Sequence, residues 1–274
     1  MQGIGNDFVM VNCLMETLPE KELAAISRRV NDRKFGVGGD GLILVLPSKL
    51  ADFKMRMFNP DGSEAEMCGN GIRCFAKYVF DRKLISEHQI KVETLAGVKL
   101  LKLLTRGGKV EAVRVDMGQP GLLRSEIPMR GDDNGRVIGE SLKVDGRKFE
   151  ITAVNMGNPH VVIFSDDLDN FAVERYGPQI ENHKVFPQRT NVQFVQACSN
   201  SEIVLRTWER GAGLTLACGT GACAAAVAST LNKRTGKRVN VHLRGGDLLI
   251  EWNGDNRVMM TGPAEDVFEG EICL

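Results

Sequence analysis

The chain has 274 residues, enough for one large domain or two medium ones with full cores. Its 35 Lys and Arg balance 35 Asp and Glu, which argues against a dedicated nucleic-acid or membrane-surface protein, whose footprint is a basic surplus. No apolar run approaches the roughly 18–20 residues that span a bilayer, and the start Met1-Gln2-Gly3-Ile4-Gly5 lacks a basic-then-apolar signal pattern, so a soluble cytoplasmic globule is expected.

Taken in order, the turn Gly3-Ile4-Gly5-Asn6 enters a short strand over Asp7–Asn12. Pro19 opens a helix whose apolar stripe is Leu23, Ile26 and Val30. The loop Gly36–Gly41 leads to a buried strand over Leu42–Leu46, and Phe53–Asn59 alternates apolar and charged side chains. After the turn Pro60-Asp61-Gly62 comes Met67-Cys68-Gly69-Asn70-Gly71-Ile72-Arg73-Cys74, which opens a helix burying Ile72, Phe75, Ala76 and Val79. Strands follow at Gln89–Glu93, Val98–Leu104 and Val110–Asp116.

The second half repeats the plan. Strands at Lys148–Asn155 and His160–Phe164 flank the turn Met156-Gly157-Asn158-Pro159, and a short helix covers Phe171–Tyr176. Strands at Asn191–Gln196 and Ile203–Glu209 precede Ala217-Cys218-Gly219-Thr220-Gly221-Ala222-Cys223, again at the head of a helix. Strands near Val239–Leu243, Asp247–Trp252, Arg257–Thr261 and Val267–Cys273 complete it. The pattern predicts an internal duplication, each half mostly β around one central helix that starts at a Cys-Gly-x-Gly turn. The halves are expected over 1–116 and 117–262, with a strand over 263–274 crossing back to complete the first, and Arg130–Glu140 as a polar loop inside the second.

Seven cysteines do not make a disulfide framework in a chain this long. Most free cysteines fill cores. Cys68 and Cys218 differ, because a thiol at a helix N-terminus meets unpaired N–H groups and the positive end of the helix dipole, both of which favour thiolate. The same N–H groups cradle a carboxylate, and glycines at 69, 71, 219 and 221 let backbone approach a ligand. Two such turns on opposite sides of one carbon supply an acid and a base, which inversion of a stereocentre requires. Such a pair shares one proton and titrates as a unit. A tight strand-to-helix connection with a filler cysteine remains open for either turn. Zinc fits less well, because Cys68–Cys74 and Cys218–Cys223 lack the usual short ligand spacing; no metal is expected.

The motifs Gly3–Phe8, Phe58–Glu64, Cys68–Cys74, Met156–His160, Glu209–Gly213 and Ala217–Ala222 together resemble the diaminopimelate epimerase family, in order and over essentially the whole chain. The resemblance implies an α+β fold of two pseudo-symmetric domains, each a mostly antiparallel barrel-like sheet wrapped around a central helix. It implies a cofactor-free, two-base epimerase that interconverts L,L- and meso-diaminopimelate in lysine and peptidoglycan-precursor biosynthesis. Cys68 would be the proton donor and Cys218 the acceptor from L,L to meso, with His160 and Glu209 helping to poise the thiols. Asn6, Asn59, Gly69, Asn70, Asn158, Asn191, Glu209, Arg210, Gly219 and Thr220 match substrate-binding positions. This agrees with a doubly zwitterionic substrate, whose carboxylates suit helix N-termini and a bidentate Arg. A homodimer stays open as an assembly.

Two departures are visible. The family has several more residues before Gly3-Ile4-Gly5-Asn6, forming a first strand, so a shortened sheet edge next to Asn6 is expected. Asp40-Gly41 stands where some members carry a substrate-contacting glutamine. Two rival readings are kept. One is a proline or hydroxyproline racemase-like enzyme of the same fold, which has His where this chain has Asn70. The other is a non-enzymatic thiol module for metal or redox sensing.

Overall fold

The computed structural model describes residues 1–131 and 135–273. The chain forms two compact units, Met1–Asp116 with Thr261–Leu274, and Met117–Met260.

Unit 1 contains β1 (Gln2–Gly3), β2 (Asn6–Asn12), α1 (Leu23–Asn31), β3 (Gly41–Leu46), β4 (Phe53–Phe58), β5 (Glu64–Ala65), α2 (Gly69–Asp81), β6 (Gln89–Thr94), β7 (Gly97–Arg106) and β8 (Lys109–Asp116). β2 and β3 run parallel through the α1 crossover, and β4 runs parallel to β6 through α2. The remaining neighbours, β1–β2, β3–β4, β4–β5, β6–β7 and β7–β8, are antiparallel. The stripe Leu23, Ile26 and Val30 packs on Leu42, Leu44 and Phe58. α2 lies against β1 to β4, β7 and β8, with Ile72, Phe75, Ala76 and Val79 fully buried.

Unit 2 contains β9 (Glu140–Val144), β10 (Arg147–Asn155), β11 (Pro159–Phe164), α3 (Val173–Glu181), β12 (Asn191–Ser199), β13 (Glu202–Glu209), β14 (Gly213–Thr215), α4 (Gly219–Leu231), β15 (Arg238–Leu243) and β16 (Gly246–Trp252). β17 (Val258–Pro263) carries the chain back into unit 1. The connectivity repeats that of unit 1. β11 and β12 are parallel through α3, β13 and β15 are parallel through α4, and β12–β13, β13–β14 and β15–β16 are antiparallel. α4 packs against six strands, β10 to β13, β15 and β16. It is apolar on every side, and Ala222 through Ala228 are all buried, so only small residues let the surrounding strands approach so closely.

Three expectations differ from the structure. α3 continues past Tyr176, through Gly177-Pro178, to Glu181. Tertiary contacts hold that extra turn: Ile180 is buried in the unit 2 core, and a Cβ at Gly177 would meet the Trp208 ring at 2.6 Å. No strand forms over Val267–Cys273. The chain leaves β17 at Pro263, makes one bridge between Glu265 and Gln2, and leaves Val267, Phe268 and Ile272 exposed. Within the expected loop Arg130–Glu140, Glu140 begins β9, and residues 132–134 lie outside the described residues. The shortened N-terminal edge is as expected: a two-residue β1 pairs with β2 across a turn whose central residues, Ile4 (φ 50) and Gly5 (φ 84), are both left-handed.

Among the described residues no helix is long and apolar enough to cross a membrane. The enclosure of α4 sets a stability test. Ala225→Leu, placed among strands on all sides, should lower stability by about 1–3 kcal/mol, read as a shift in the urea midpoint followed by circular dichroism.

Candidate active site

Each Cys-Gly-x-Gly turn places its first cysteine as the N-cap of the central helix. Cys68 is extended (φ −129, ψ 121), and its Sγ accepts the Gly71 N–H at 3.4 Å. Cys218 is extended too (φ −136, ψ 110), and the Gly221 N–H acts on it without closing a capping bond. N-caps are ordinarily Ser, Thr, Asp or Asn, so a thiol here gives up the better oxygen acceptor. The second glycine of each motif answers to packing rather than ligand approach. A Cβ at Gly71 would meet Ile43 Cδ1 at 2.8 Å, and one at Gly221 would meet the Gln193 side chain at 2.7 Å.

In unit 1, Asn6 comes to Cys68. Its Oδ1 accepts from Cys68 Sγ at 3.9 Å and from Asn70 Nδ2 at 3.3 Å. Asn70 is 2% exposed and its Oδ1 has no hydrogen-bond partner among the described residues. Asn6 Nδ2 donates to Asp40 Oδ2. A side chain at 41 would meet Met57 Cε at 2.9 Å and Phe58 O at 3.1 Å, so the glutamine that the resemblance suggests for some members has no room here. Asn59 stays within its hairpin, donating from Nδ2 to Ser63 Oγ at 2.9 Å.

In unit 2, Cys218 is 5% exposed, 3.5 Å from Thr220 Oγ1, and has Glu209 beside it. Burial pushes its thiol well up, and the Glu209 carboxylate adds to this; the Thr220 hydroxyl and the Gly221 N–H oppose both and lose. The thiolate expected from the helix N-terminus alone is therefore overridden at Cys218 by burial. His160 does not act on a thiol directly. Its Nε2–H donates to Asn158 Oδ1 at 2.8 Å, and its Nδ1 accepts from Gln193 Nε2 at 3.2 Å. Gln193 Oε1 in turn accepts from Thr207 Oγ1 at 2.7 Å. Burial, with Arg210 adding, pushes His160 down to about 3, so the imidazole is neutral. Asn191 Nδ2 donates to Pro159 O at 2.9 Å and its Oδ1 accepts the Arg210 N–H at 3.0 Å, which ties Arg210 to the end of β11. Arg210 Nη1 donates to Gln188 O.

Three residues of these clusters escape a reading of the sequence. Gln193, fully buried between Val192 and Phe194, is a polar residue in an apolar strand, and that was its only signal. Asp40 holds Asn6. Glu181 accepts from Trp208 Nε1 at 2.8 Å and the Gly211 N–H at 3.0 Å, and so secures the segment bearing Glu209 and Arg210.

The strand registers align the two clusters. Phe8 pairs with Gly41 as His160 pairs with Asn191, and Leu42 pairs with Phe58 as Val192 pairs with Trp208. By these pairings Asn6 corresponds to Asn158, Ile43 to Gln193, and Asn59 to Glu209.

The sequence profile of the family described as diaminopimelate epimerase matches residues 1–123 and 152–267. The chain belongs to the diaminopimelate epimerase family. It is 57% identical to a diaminopimelate epimerase from Pelotomaculum thermopropionicum over 269 residues, covering 98% of this chain and 96% of that protein. It is 52% identical to one from Acetivibrio thermocellus over 275 residues, covering 100% and 97%. Solved structures with the same fold include a probable proline racemase from Agrobacterium radiobacter (TM-score 0.71, 15% identity, 100% of this chain and 91% of that one). A phenazine biosynthesis protein of the PhzF family from Bacillus anthracis is similar (TM-score 0.70, 19% identity, 100% and 95%). The diaminopimelate epimerase family thus shares its scaffold with proteins whose names carry other activities.

A neutral buried His160 makes a pH test. Its pKa is depressed on folding, from 6.5 to about 3, so it stabilises the fold fully above the unfolded value. That stability is lost as pH falls from 6.5 toward 3. Urea midpoints should therefore decline over that window, and His160→Gln should show a shallower decline than the unaltered chain.

Proposed function

We propose that this chain interconverts L,L- and meso-diaminopimelate by a cofactor-free two-base reaction in which Cys68 and Cys218 are the proton-transfer groups. The observation that supports this most is the repetition of one device: in each unit a cysteine is the N-cap residue of a 13-residue central helix, in a chain of the diaminopimelate epimerase family. One thiolate removes the α-proton while the other thiol delivers a proton to the opposite face. The thiols have then exchanged roles, and the reverse reaction restores them. Cys68 serves as donor and Cys218 as acceptor from L,L to meso.

The unpaired N–H groups of Gly69-Asn70 and Gly219-Thr220 suit the reacting carboxylate, whose negative charge grows as the α-proton leaves. The burial that resists ionisation of Cys218 also gives its thiolate a high proton affinity, which favours abstraction from carbon. Glu209, beside Cys218, is the group placed to relieve that thiol of its resting proton. Asn6, Asn59, Asn158 and Asn191 supply neutral amides for the distal amino-acid end, with Arg210 for its carboxylate. His160 sets Asn158 rather than a sulfur. The reading places the protein in the cytoplasm, requires neither metal nor nucleic acid, and is compatible with a homodimer.

Under reducing conditions, L,L-diaminopimelate in deuterated water should gain deuterium at one α-carbon per turnover, while L-proline should not exchange. Cys68→Ala and Cys218→Ala should each lower kcat by at least about 10²-fold with the circular dichroism spectrum unchanged. Retained turnover in either variant defeats the two-base assignment, and exchange of L-proline in place of diaminopimelate favours the racemase-like alternative.

A further inference from the structure

The Asn6 amide lies between two different neighbours, and only one orientation satisfies both. On one side is Asp40, whose carboxylate can only accept. Its Oδ2 takes Asn6 Nδ2 and, at 3.2 Å, the Asp7 N–H. Its Oδ1 takes Arg33 Nη2 at 2.8 Å. Arg33 is fixed in turn by a two-point pair with Asp7, at 2.9 and 2.8 Å, and the Asp40 N–H donates to Asp7 O at 2.7 Å. On the other side are Cys68 Sγ and Asn70 Nδ2, both facing Asn6 Oδ1. Turning the amide over would aim its NH2 at the Asn70 NH2 and its oxygen at a carboxylate. The amide is therefore locked, and it presents a carbonyl to the sulfur. A carbonyl accepts from S–H and repels thiolate, whereas the Gly71 N–H on the same sulfur favours thiolate.

We propose that Asp40, held by Arg33 and Asp7, is a positioning residue that fixes the Asn6 carbonyl on the Cys68 S–H and so keeps the proton on that sulfur. The proposal deepens the two-base reading and rests on it, since a donor must hold its proton when substrate arrives. The nearest charge along α2 is the fully buried Arg73, which donates from Nε to Pro263 O and from Nη1 to Gly69 O, both at 3.0 Å. The Met1 ammonium donates to Phe8 O, Arg56 on β4 pairs with Glu20 and Glu64, and Lys77 on α2 itself pairs with Asp81. Cys74, on the same helix, is pushed up to about 12 by burial and stays a thiol.

The test is iodoacetamide alkylation of the full chain over a pH series, with the Cys68 peptide quantified by mass spectrometry and exposed Cys198 as internal control. Asp40→Asn puts donors toward Asn6 and releases the amide, so Cys68 alkylation at neutral pH should rise about fivefold, the factor that one net hydrogen bond represents, with Cys198 unchanged. Asp40→Ser carries the same expectation if Asp40→Asn does not fold. The double variant Asn6→Asp with Asp40→Asn rebuilds the lock in reverse. The amide at 40 donates to the carboxylate at 6, whose other oxygen takes the S–H, and Cys68 should become slow again. An unchanged Cys68 rate in a folded single variant, or a double variant as reactive as the single, overturns the proposal. Alkylation needs no substrate, so a shifted Cys68 rate in a chain without epimerase activity would sink the two-base reading and leave the positioning role standing.

Discussion

Everything near the two thiols depends on a helix that must begin inside a sheet. An N-cap residue has to be extended while the next residues turn helical, and here both helices are enclosed by their own strands. The enclosure leaves no freedom in where the sulfur sits. It also accounts for the glycines, since Ile43 and Gln193 occupy the volume a side chain at 71 or 221 would need. A loop could present a thiol, but it could not hold it against fixed partners. The cost of the arrangement is polarity in a closed space. An unsatisfied buried polar group costs about 1–3 kcal/mol, so the amides must satisfy one another, through Asn6 and Asp40 in one unit and through Asn158, His160, Gln193 and Thr207 in the other.

At Cys218 two general effects oppose each other, and their sizes decide the outcome. A helix N-terminus stabilises an anion by about 0.3–1 kcal/mol, and by about 2 in favourable partly buried settings. Removing a charge from water costs more than this when no cation compensates, and the neighbour here is Glu209, an anion. Burial therefore wins. Cys74 shows the burial effect at a position one turn into its helix, where the thiol is pushed up to about 12. A lowered thiol pKa at a helix start is thus a statement about exposed sites, and its sign reverses once the cap is enclosed.

Much of this was legible in the chain. The 3.6 and 2.0 periods predicted both central helices and most strands to within one or two residues, because those segments each bury one face or all of it. Motif order pointed to the family, since the six motifs together are specific where each is not. The failures share a cause. α3 reads as ending at Gly177-Pro178, yet contacts with Trp208 and the core carry it to Glu181. Val267–Cys273 has apolar residues but no neighbouring strand, and no local pattern reveals a missing partner. Gln193, Asp40 and Glu181 act on residues 33, 34 and 27 positions away, on His160, Asn6 and Trp208. Side-chain pairs at that separation are set by strand register, which the sequence does not display until the pairing is known.

Once the pairing is known, the register also shows how the duplicated halves have diverged. Where unit 1 has Phe8, Ile43 and Asn59, unit 2 has His160, Gln193 and Glu209. The backbone plan is common to both, while the polarity around the helix start is not. If both halves kept the same neighbours, the thiols would hold their protons equally, and neither would be set in advance as donor or acceptor. The two-base proposal has one proton serving two sulfurs, so a difference between the sites chooses where it rests. On the two-base reading Glu209, a carboxylate where unit 1 has an amide, can take the resting proton of Cys218, whereas Asn6 offers Cys68 a carbonyl that cannot. A carboxylate that can take up a proton, set against a carbonyl that only accepts a hydrogen bond, is the asymmetry that duplication alone would not have provided.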